Sequence, residues 1–473
     1  MGVQKTSTEQ KTDLERNVDT GEVDEKGYNP RTDLIRGNIF TSILLFSIPL
    51  LIGNLFQQLY NTVDSYVVGN YVNTGALAAV GASASVINML VGFFMGLSAG
   101  AGVVISQYFG GKRTQDMSDA IHSALALTAL LSVIFTVAGM VFTRPLLKAI
   151  GIPEEVLPHS SLYLTIYFGG ITFSLFYNIG AGILRAVGNS RDPLYYLVAA
   201  CLVNIVLDFL FVCGLHMGVA GVAIATVIAQ AVSSAMVMYK LMHTREDYRV
   251  ELKKIRFHKY MIGRIIAIGF PTALQQSITS FSNVIVQSYI NKFGTAAIAG
   301  YSAAIRVDGF LQLTIQSFSM TTITFVGQNI GAKEFHRVKK GVFAAWLMNT
   351  SIILLGCLAM CFAGGQLIGI FTNDTAVIAN GGMMLRLFSY AYWVLPIIHM
   401  LGGALRGAGK SQVPMYFMLV CFVVLRQIYL AIVLPMTHSL MAVMAGWPVT
   451  WVICAVGMTI YYFRVDWLSN AKV

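Results

Sequence analysis

Leu184-Arg185-Ala186-Val187-Gly188-Asn189-Ser190 returns 221 residues later as Leu405-Arg406-Gly407-Ala408-Gly409-Lys410-Ser411. The same shift carries Pro193 onto Pro414, and Gln107-Tyr108-Phe109-Gly110-Gly111-Lys112 onto Gln328-Asn329-Ile330-Gly331-Ala332-Lys333. Pro49 and Pro271 align after a slip of one residue, at 222. Chance matches do not share one offset, so the chain is an internal duplication whose halves are structural units.

Composition says what each half is made of. Hydrophobic residues make up 56% of the chain and charged residues 11%, where a soluble domain carries about 25% charged residues. A hydrocarbon core about 30 Å thick needs about 20 apolar residues of helix. Twelve stretches, from 39–68 to 439–463, meet that need, six in each half. The predicted fold is an all-α integral membrane protein of twelve transmembrane helices in two six-helix, pseudo-symmetric lobes. The N-lobe covers 37–242 (spans 1–6), a cytoplasmic linker 243–259, and the C-lobe 260–465 (spans 7–12). An even number of spans separates equivalent positions, so the halves share one orientation about an axis along the membrane normal. The cleft between them is the expected place for substrate.

Alternate loops differ in charge. One set holds eighteen Lys and Arg, most densely between Lys240 and Arg264, and the other holds Arg144, Lys148 and Lys292. The excess marks the cytoplasmic side and puts both termini there, in the cytoplasmic (inner) membrane. The net charge of +10 is therefore a membrane pattern and not a nucleic-acid footprint. Residues 1–36 hold eight of the 22 acids and little that builds a core, and read as a disordered cytoplasmic tail without secretory-signal features. The six cysteines lie inside apolar runs with no metal-ligand spacing, so neither a disulfide nor a metal is expected.

Once tail and loops are set aside, three acids remain at membrane depth: Asp64, Asp208 and Asp308. Each costs about 2.5–3.5 kcal/mol on insertion scales and needs a reason. Spans 1 (39–68) and 5 (192–213) both run outward and end soon after Asp64 and Asp208, which places the two at one depth. Tyr60 and Asn204 lie one turn below them on the same faces, and Thr226 in span 6 reaches that level. Two carboxylates with neutral oxygens around them form a candidate cation-coupling site for H+ or Na+; a static hydrogen-bond network is the competing reading. Asp308 in span 8 and Arg426 in span 11 share a depth nearer the midplane and are expected to pair, with Arg306 an alternative partner. Gln57 and Asn61 in span 1, Asn178 in span 4, Gln275 and Gln276 in span 7 and His399 in span 10 are candidate cavity residues. Pro396 is expected to kink span 10.

Three signatures now stand together: Val63-Asp64 followed by Val68-Gly69 in span 1, Leu-Arg-Ala-x-Gly after span 4, and Asn204 four residues before Asp208. Over residues 35–465 the chain resembles the multidrug and toxic compound extrusion (MATE) antiporters. That resemblance implies a secondary active multidrug efflux antiporter that exchanges amphiphilic, often cationic, small molecules for H+ or Na+ by alternating access. It implies a cation site at the matching N-lobe positions and a bend of the first helix at Pro49. Spans 7 and 10 carry no Asp or Glu, so this chain departs from the branch with acidic ligands in the second lobe, and coupling is expected to rest on the first. The alternative is a lipid or lipid-linked precursor flippase, for which Arg306, Arg386 and Arg426 would supply a basic cleft. No P-loop and no nucleophile–base spacing is present, so no enzyme activity is expected and no cofactor beyond the coupling ion. The expected partners are small-molecule substrates and membrane lipids, not nucleic acid, and the protein is expected to be monomeric.

Overall fold

The computed structural model describes residues 33–72 and 74–468; residues 1–32 of the predicted tail lie outside the described residues. The first lobe comprises α1 (Ile39–Tyr71), α2 (Thr74–Gly110), α3 (Thr114–Ala149), α4 (Leu157–Ala186), α5 (Arg191–Gly214) and α6 (Gly218–His243). The second comprises α7 (Lys259–Ile290), α8 (Thr295–Gly331), α9 (Phe335–Gly369), α10, α11 (Gln412–Thr437) and α12 (Leu440–Arg464). The arms of α10, Thr375–Ser389 and Tyr392–Gly407, meet at 43°. The break falls just ahead of Pro396, in the first turn of the second arm, where a ring without an N–H cannot continue the ladder. Asn38 starts α1 by accepting bonds from the Phe40 and Thr41 amides, and Asp374 starts α10 in the same way on Ala376 and Val377. The protein is a multi-pass membrane protein.

By length and apolarity alone, nine helices among the described residues qualify as spans, or ten with α10 taken as one. α7 and α8 are long enough, at 32 and 37 residues, but carry too many polar side chains. In α8 the reason is its position: Thr314, Ser317, Ser319, Thr321, Thr322, Thr324, Gln328 and Asn329 are all buried among other helices, where their hydroxyls and amides find partners.

The duplication is written into the backbone as well as the side chains. Left-handed φ angles come in equivalent pairs: Lys112 at 54° and Lys333 at 63°, Gly188 at 94° and Gly409 at 81°, His216 at 53° and His438 at 47°. We refer to the end where α1 begins, which carries the basic loops, as the basic end. There the lobes meet across the pseudo-two-fold axis. Gln107 Nε2 donates to the Gly407 carbonyl at 2.9 Å, and its equivalent Gln328 donates to the Ala186 carbonyl at 2.8 Å. Each glutamine thus satisfies an end carbonyl of a helix in the opposite lobe. Backbones touch beside them: a Cβ on Gly110 would stand 1.9 Å from the Gln328 carbonyl oxygen, and one on Gly331 1.9 Å from that of Gln107.

The flanking crossings are also equivalent but solved differently. α2 meets α7 glycine on glycine at Gly100 and Gly269, while α1 meets α8 through a 2.8 Å bond between Ser47 Oγ and Thr321 Oγ1. Farther along α1, Asn54 donates to Ser317 at 3.1 Å. Beyond it the face of α1 opens, with Gln57, Gln58 and Asn61 exposed. The stretch ahead of α1 is fastened to the second lobe: Leu34 is buried in that core, and its carbonyl accepts from Asn329 Nδ2 at 3.0 Å and Arg337 Nε at 3.3 Å. The linker 244–258 is pinned to α3 through His122, which accepts from the Glu251 amide at 3.0 Å, and through Ser123, which accepts from the His258 amide at 3.2 Å.

Adding a methyl group where backbones already touch forces a shift costing about 1–3 kcal/mol. Gly110→Ala and Gly331→Ala should therefore lower the thermal unfolding temperature of the purified protein by similar amounts, whereas Gly169→Ala, with open space at its Cβ, should not. A tolerated Gly110→Ala would contradict the packing described.

Candidate functional site

Four helices of the first lobe converge in its half away from the basic end. α1 offers Tyr60 and Asp64, α5 Asn204 and Asp208, α6 Thr226 and Gln230, and α4 Tyr163 and Tyr167. Each pair is spaced by four, which sets both members on one helix face. Asp64 stands within reach of Asp208, Asn204 and Thr226. Tyr60 and Tyr163 both lie against Thr226 and Asp64, and Tyr167 lies beside Gln230. The helix changes to a π turn, Phe209–Gly214, directly after Asp208, a local widening often found where a helix serves a site.

The cluster is buried, and several of its polar atoms are unbonded. Asp64 is 5% exposed, and Asn204 and Asp208 are 0% exposed. Both carboxylate oxygens of Asp208, Oδ1 of Asp64, both amide atoms of Asn204 and the Tyr60 hydroxyl make no hydrogen bond. Buried polar atoms are normally paired. Two adjacent carboxylates that are both ionised repel by roughly 4 kcal/mol at 4 Å in an effective dielectric of about 20. A proton shared between them, or a small hard cation bound by their oxygens with Asn204 and Thr226, removes that cost.

The cluster opens on a chamber of about 400 Å³. Gln57, Asn61 and Asn178 line it, with Asp64, Tyr60 and Thr226 at one end and Pro49 along its α1 wall. All its lining residues belong to the first lobe, so the site lies inside one lobe and not in the cleft between the two. Gln275, Gln276 and His399 are consequently not part of it. Gln275 is buried and accepts from Arg406, Gln276 is exposed beside α2, and His399 packs near Arg406 with its carbonyl accepting from Ser319. Sequence analysis passed over Tyr163, Tyr167 and Gln230. Their four-residue spacing on α4 and α6 was visible, but neither helix carries an acid to draw attention to that face.

The second lobe holds no copy of the site. The equivalents of Asp64 and Thr226 are Val286 and Trp447, and because the π turn Val420–Leu425 adds one residue to the shift, those of Asn204 and Asp208 are Arg426 and Leu430. Arg426 occupies this region, 2% exposed, and it does not pair with Asp308. Its guanidinium donates to Asn283 at 3.1 Å and Thr450 at 3.4 Å and lies over the rings of Phe422 and Trp447. Asp308 instead lies against Tyr392, with Tyr301 near both charges. Counting residues matched their depths but could not fix which way each helix turns its side chain. Arg306 is likewise not a buried charge: it is exposed and lies over the Phe371 ring at the far end of α9, consistent with a long side chain reaching toward the interface. Arg386 is exposed too, so the three arginines do not assemble a basic cleft.

Comparison with known proteins agrees with this architecture. The family model described as MatE matches residues 49–210 and again 271–433, once in each half. "Probable multidrug resistance protein YpnP" of Bacillus subtilis is 28% identical over 401 residues, covering 85% of this chain and 89% of the relative. "Multidrug export protein MepA" of Staphylococcus aureus is 23% identical over 375 residues, covering 79% and 83%. Among solved structures, an outward-facing multidrug resistance MATE family transporter superposes with a TM-score of 0.86 at 23% identity, covering 94% of this chain and 99% of that one. A Pyrococcus furiosus transporter of the MOP superfamily gives 0.87 at 23%, covering 93% and 99%. At that identity the likeness shows the fold, twelve helices in two lobes.

A double-mutant cycle checks the arrangement of the C-lobe charges. Asp308→Asn and Arg426→Met should show a coupling energy below about 1 kcal/mol in stability. A coupling energy of about 1–3 kcal/mol, the range for residues in direct contact, would restore the ion pair.

Proposed function

The chain belongs to the MatE family of membrane transporters, and from that premise we propose that it exports amphiphilic, often cationic, small molecules in exchange for H+ or Na+. The observation that carries the reading is the pair Asp64 and Asp208, buried together with unbonded oxygens at the edge of a chamber large enough for a drug-sized ligand. The names of the relatives, multidrug resistance and multidrug export proteins, support the substrate class. The basic end is taken as cytoplasmic, in the inner membrane, because loops rich in Lys and Arg stay inside.

In this arrangement the lobes are joined at the basic end and α1 is exposed beyond Asn54, which suits an outward-open state. A cation entering from outside binds the two carboxylates and relieves their repulsion. Binding favours the packing of α1, α5 and α6 that holds both carboxylates closest, and a ligand shifts a conformational equilibrium only by such differential affinity. If substrate binds better in the other packing, the two displace one another and exchange follows. Breaking the Gln107 and Gln328 bonds would part the lobes on the cytoplasmic side. Pro49, buried within α1 where it lines the chamber, removes one hydrogen bond of the helix and is the hinge at which α1 bends.

Two experiments test the proposal. Asp64→Asn and Asp208→Asn should each reduce gradient-driven efflux of ethidium from proteoliposomes to background while expression and folding hold. Wild-type efflux in both, with unchanged dependence on the ion gradient, would exclude the pair as the coupling site. A lipid-scrambling signal without ethidium efflux would identify a flippase instead. Pro49→Ala should slow turnover several-fold and leave cation affinity near the wild-type value; unchanged turnover at equal expression would remove the hinge.

A further inference from the structure

The pseudo-symmetry supplies a control for every residue of the chamber, and one arginine fails the comparison. Arg185 and Arg406 are equivalent, each in the last turn of its helix at the basic end. In the second lobe Arg406 is held by its surroundings: Nη2 donates to Gln275 Oε1 at 3.2 Å and lies 3.8 Å from the Met418 sulfur, and Gln275 itself contacts that sulfur at 2.8 Å. At the shifts of 222 and 221, the first-lobe equivalents of Gln275 and Met418 are Gly53 and Leu197. These two also lie together, since a Cβ on Gly53 would stand 3.6 Å from Leu197 Cδ2. Neither offers an acceptor. Arg185, partly exposed, accordingly has no hydrogen bond and no ion pair among the described residues; its Nε is unbonded, as is that of Arg406, but its Nη groups lack the acceptor that Arg406 finds in Gln275. Tyr177 beside it gives its hydroxyl to the Pro193 carbonyl at 3.2 Å.

A guanidinium cannot shed its charge in a protein, and it presents a rigid fork of donors that matches a carboxylate. Arg185 is only partly buried, in the last turn of its helix, so its fork of donors is open to a ligand in the chamber. Arg185, Gly53 and Leu197 all line the chamber that Asp64 lines at its other end. We propose that Arg185 is the anchor for an anionic group of the transported molecule, so that the chamber takes dipolar amphiphiles, in which a cationic part is joined to a carboxylate, as well as plain cations. The missing side chain at Gly53 is what frees the anchor: a Cβ there has only ordinary contacts, and a glutamine would restore the residue type that clamps Arg406 in the other lobe.

This inference rests on the export reading and deepens it, and the probes separate the two. Rhodamine 110, a xanthylium cation with a free carboxylate, and rhodamine 123, its methyl ester, differ only at the group in question. Their affinities for the purified full-length protein are measured by fluorescence anisotropy in wild type, Arg185→Gln, Arg185→Lys and Gly53→Gln, with circular dichroism to verify folding. The ratio of rhodamine 110 to rhodamine 123 affinity should fall at least tenfold in Arg185→Gln and in Gly53→Gln, and less in Arg185→Lys, which keeps the charge but loses the fork. An unchanged ratio in the folded variants, or a wild type that binds rhodamine 123 alone, overturns the anchor and leaves the export reading standing. A wild type that binds neither dye overturns both.

Discussion

A charge placed at membrane depth must be matched by something, and the ways this protein does so organise the rest of its structure. In the second lobe the matching is internal. Arg426 is enclosed by an amide, a hydroxyl and two aromatic rings, and Arg406 is held by Gln275. In the first lobe the corresponding positions are left open. Asp64 and Asp208 face each other with unbonded oxygens, and Arg185 lacks the acceptor its twin possesses. One lobe carries cations with partners inside the protein, while the other carries charged side chains with atoms left unbonded. The two lobes share one frame, and side chains at equivalent positions set them apart: Asp64 against Val286 and Thr226 against Trp447 at one end, Gly53 against Gln275 at the other.

The same symmetry governs how the frames are joined. Gln107 and Gln328 each cap a helix end of the opposite lobe, and Gly110 and Gly331 let the backbones touch between them. Hydrogen bonds between helices in a membrane are individually modest, about 0.6 kcal/mol on average, and apolar side chains of both lobes pack around these. Apolar packing is continuous from one lobe to the other: Met261, Ile265, Ile268 and Ile323 of the second lobe share a cluster with Val103, Val104 and Tyr108 of the first, and Ile43 and Phe46 of α1 join the core of the second.

Much of this was legible in the sequence because it rests on periodicity and repeat. The shift of 221 residues gave the two lobes, and helix ends fell within a few residues of the predicted spans except where α3 and α9 run on by several more. The convergence of Asp64, Asn204, Asp208, Thr226 and Tyr60 was readable because depth along parallel helices is fixed by residue count. What counting could not supply was rotation about each helix axis. Asp308 and Arg426 share a depth yet face different neighbours, and Gln275 and His399 turn toward Arg406 and away from the chamber. The freedom of Arg185 was hidden for the opposite reason: it follows from an absent side chain at Gly53, and a glycine in an apolar run draws no attention until its partner in the repeat is known to be a glutamine doing a specific job.

The central claim is that Asp64 and Asp208 act as one cation-binding unit. Infrared difference spectroscopy of the purified protein, titrated with protons and separately with sodium, observes that unit without relying on transport. The account predicts a carboxyl band that changes with proton or sodium occupancy and disappears both in Asp64→Asn and in Asp208→Asn, because neither carboxylate binds the ion alone. A titrating band that survives in either variant, or a wild-type spectrum in which only Asp308 responds, would contradict it.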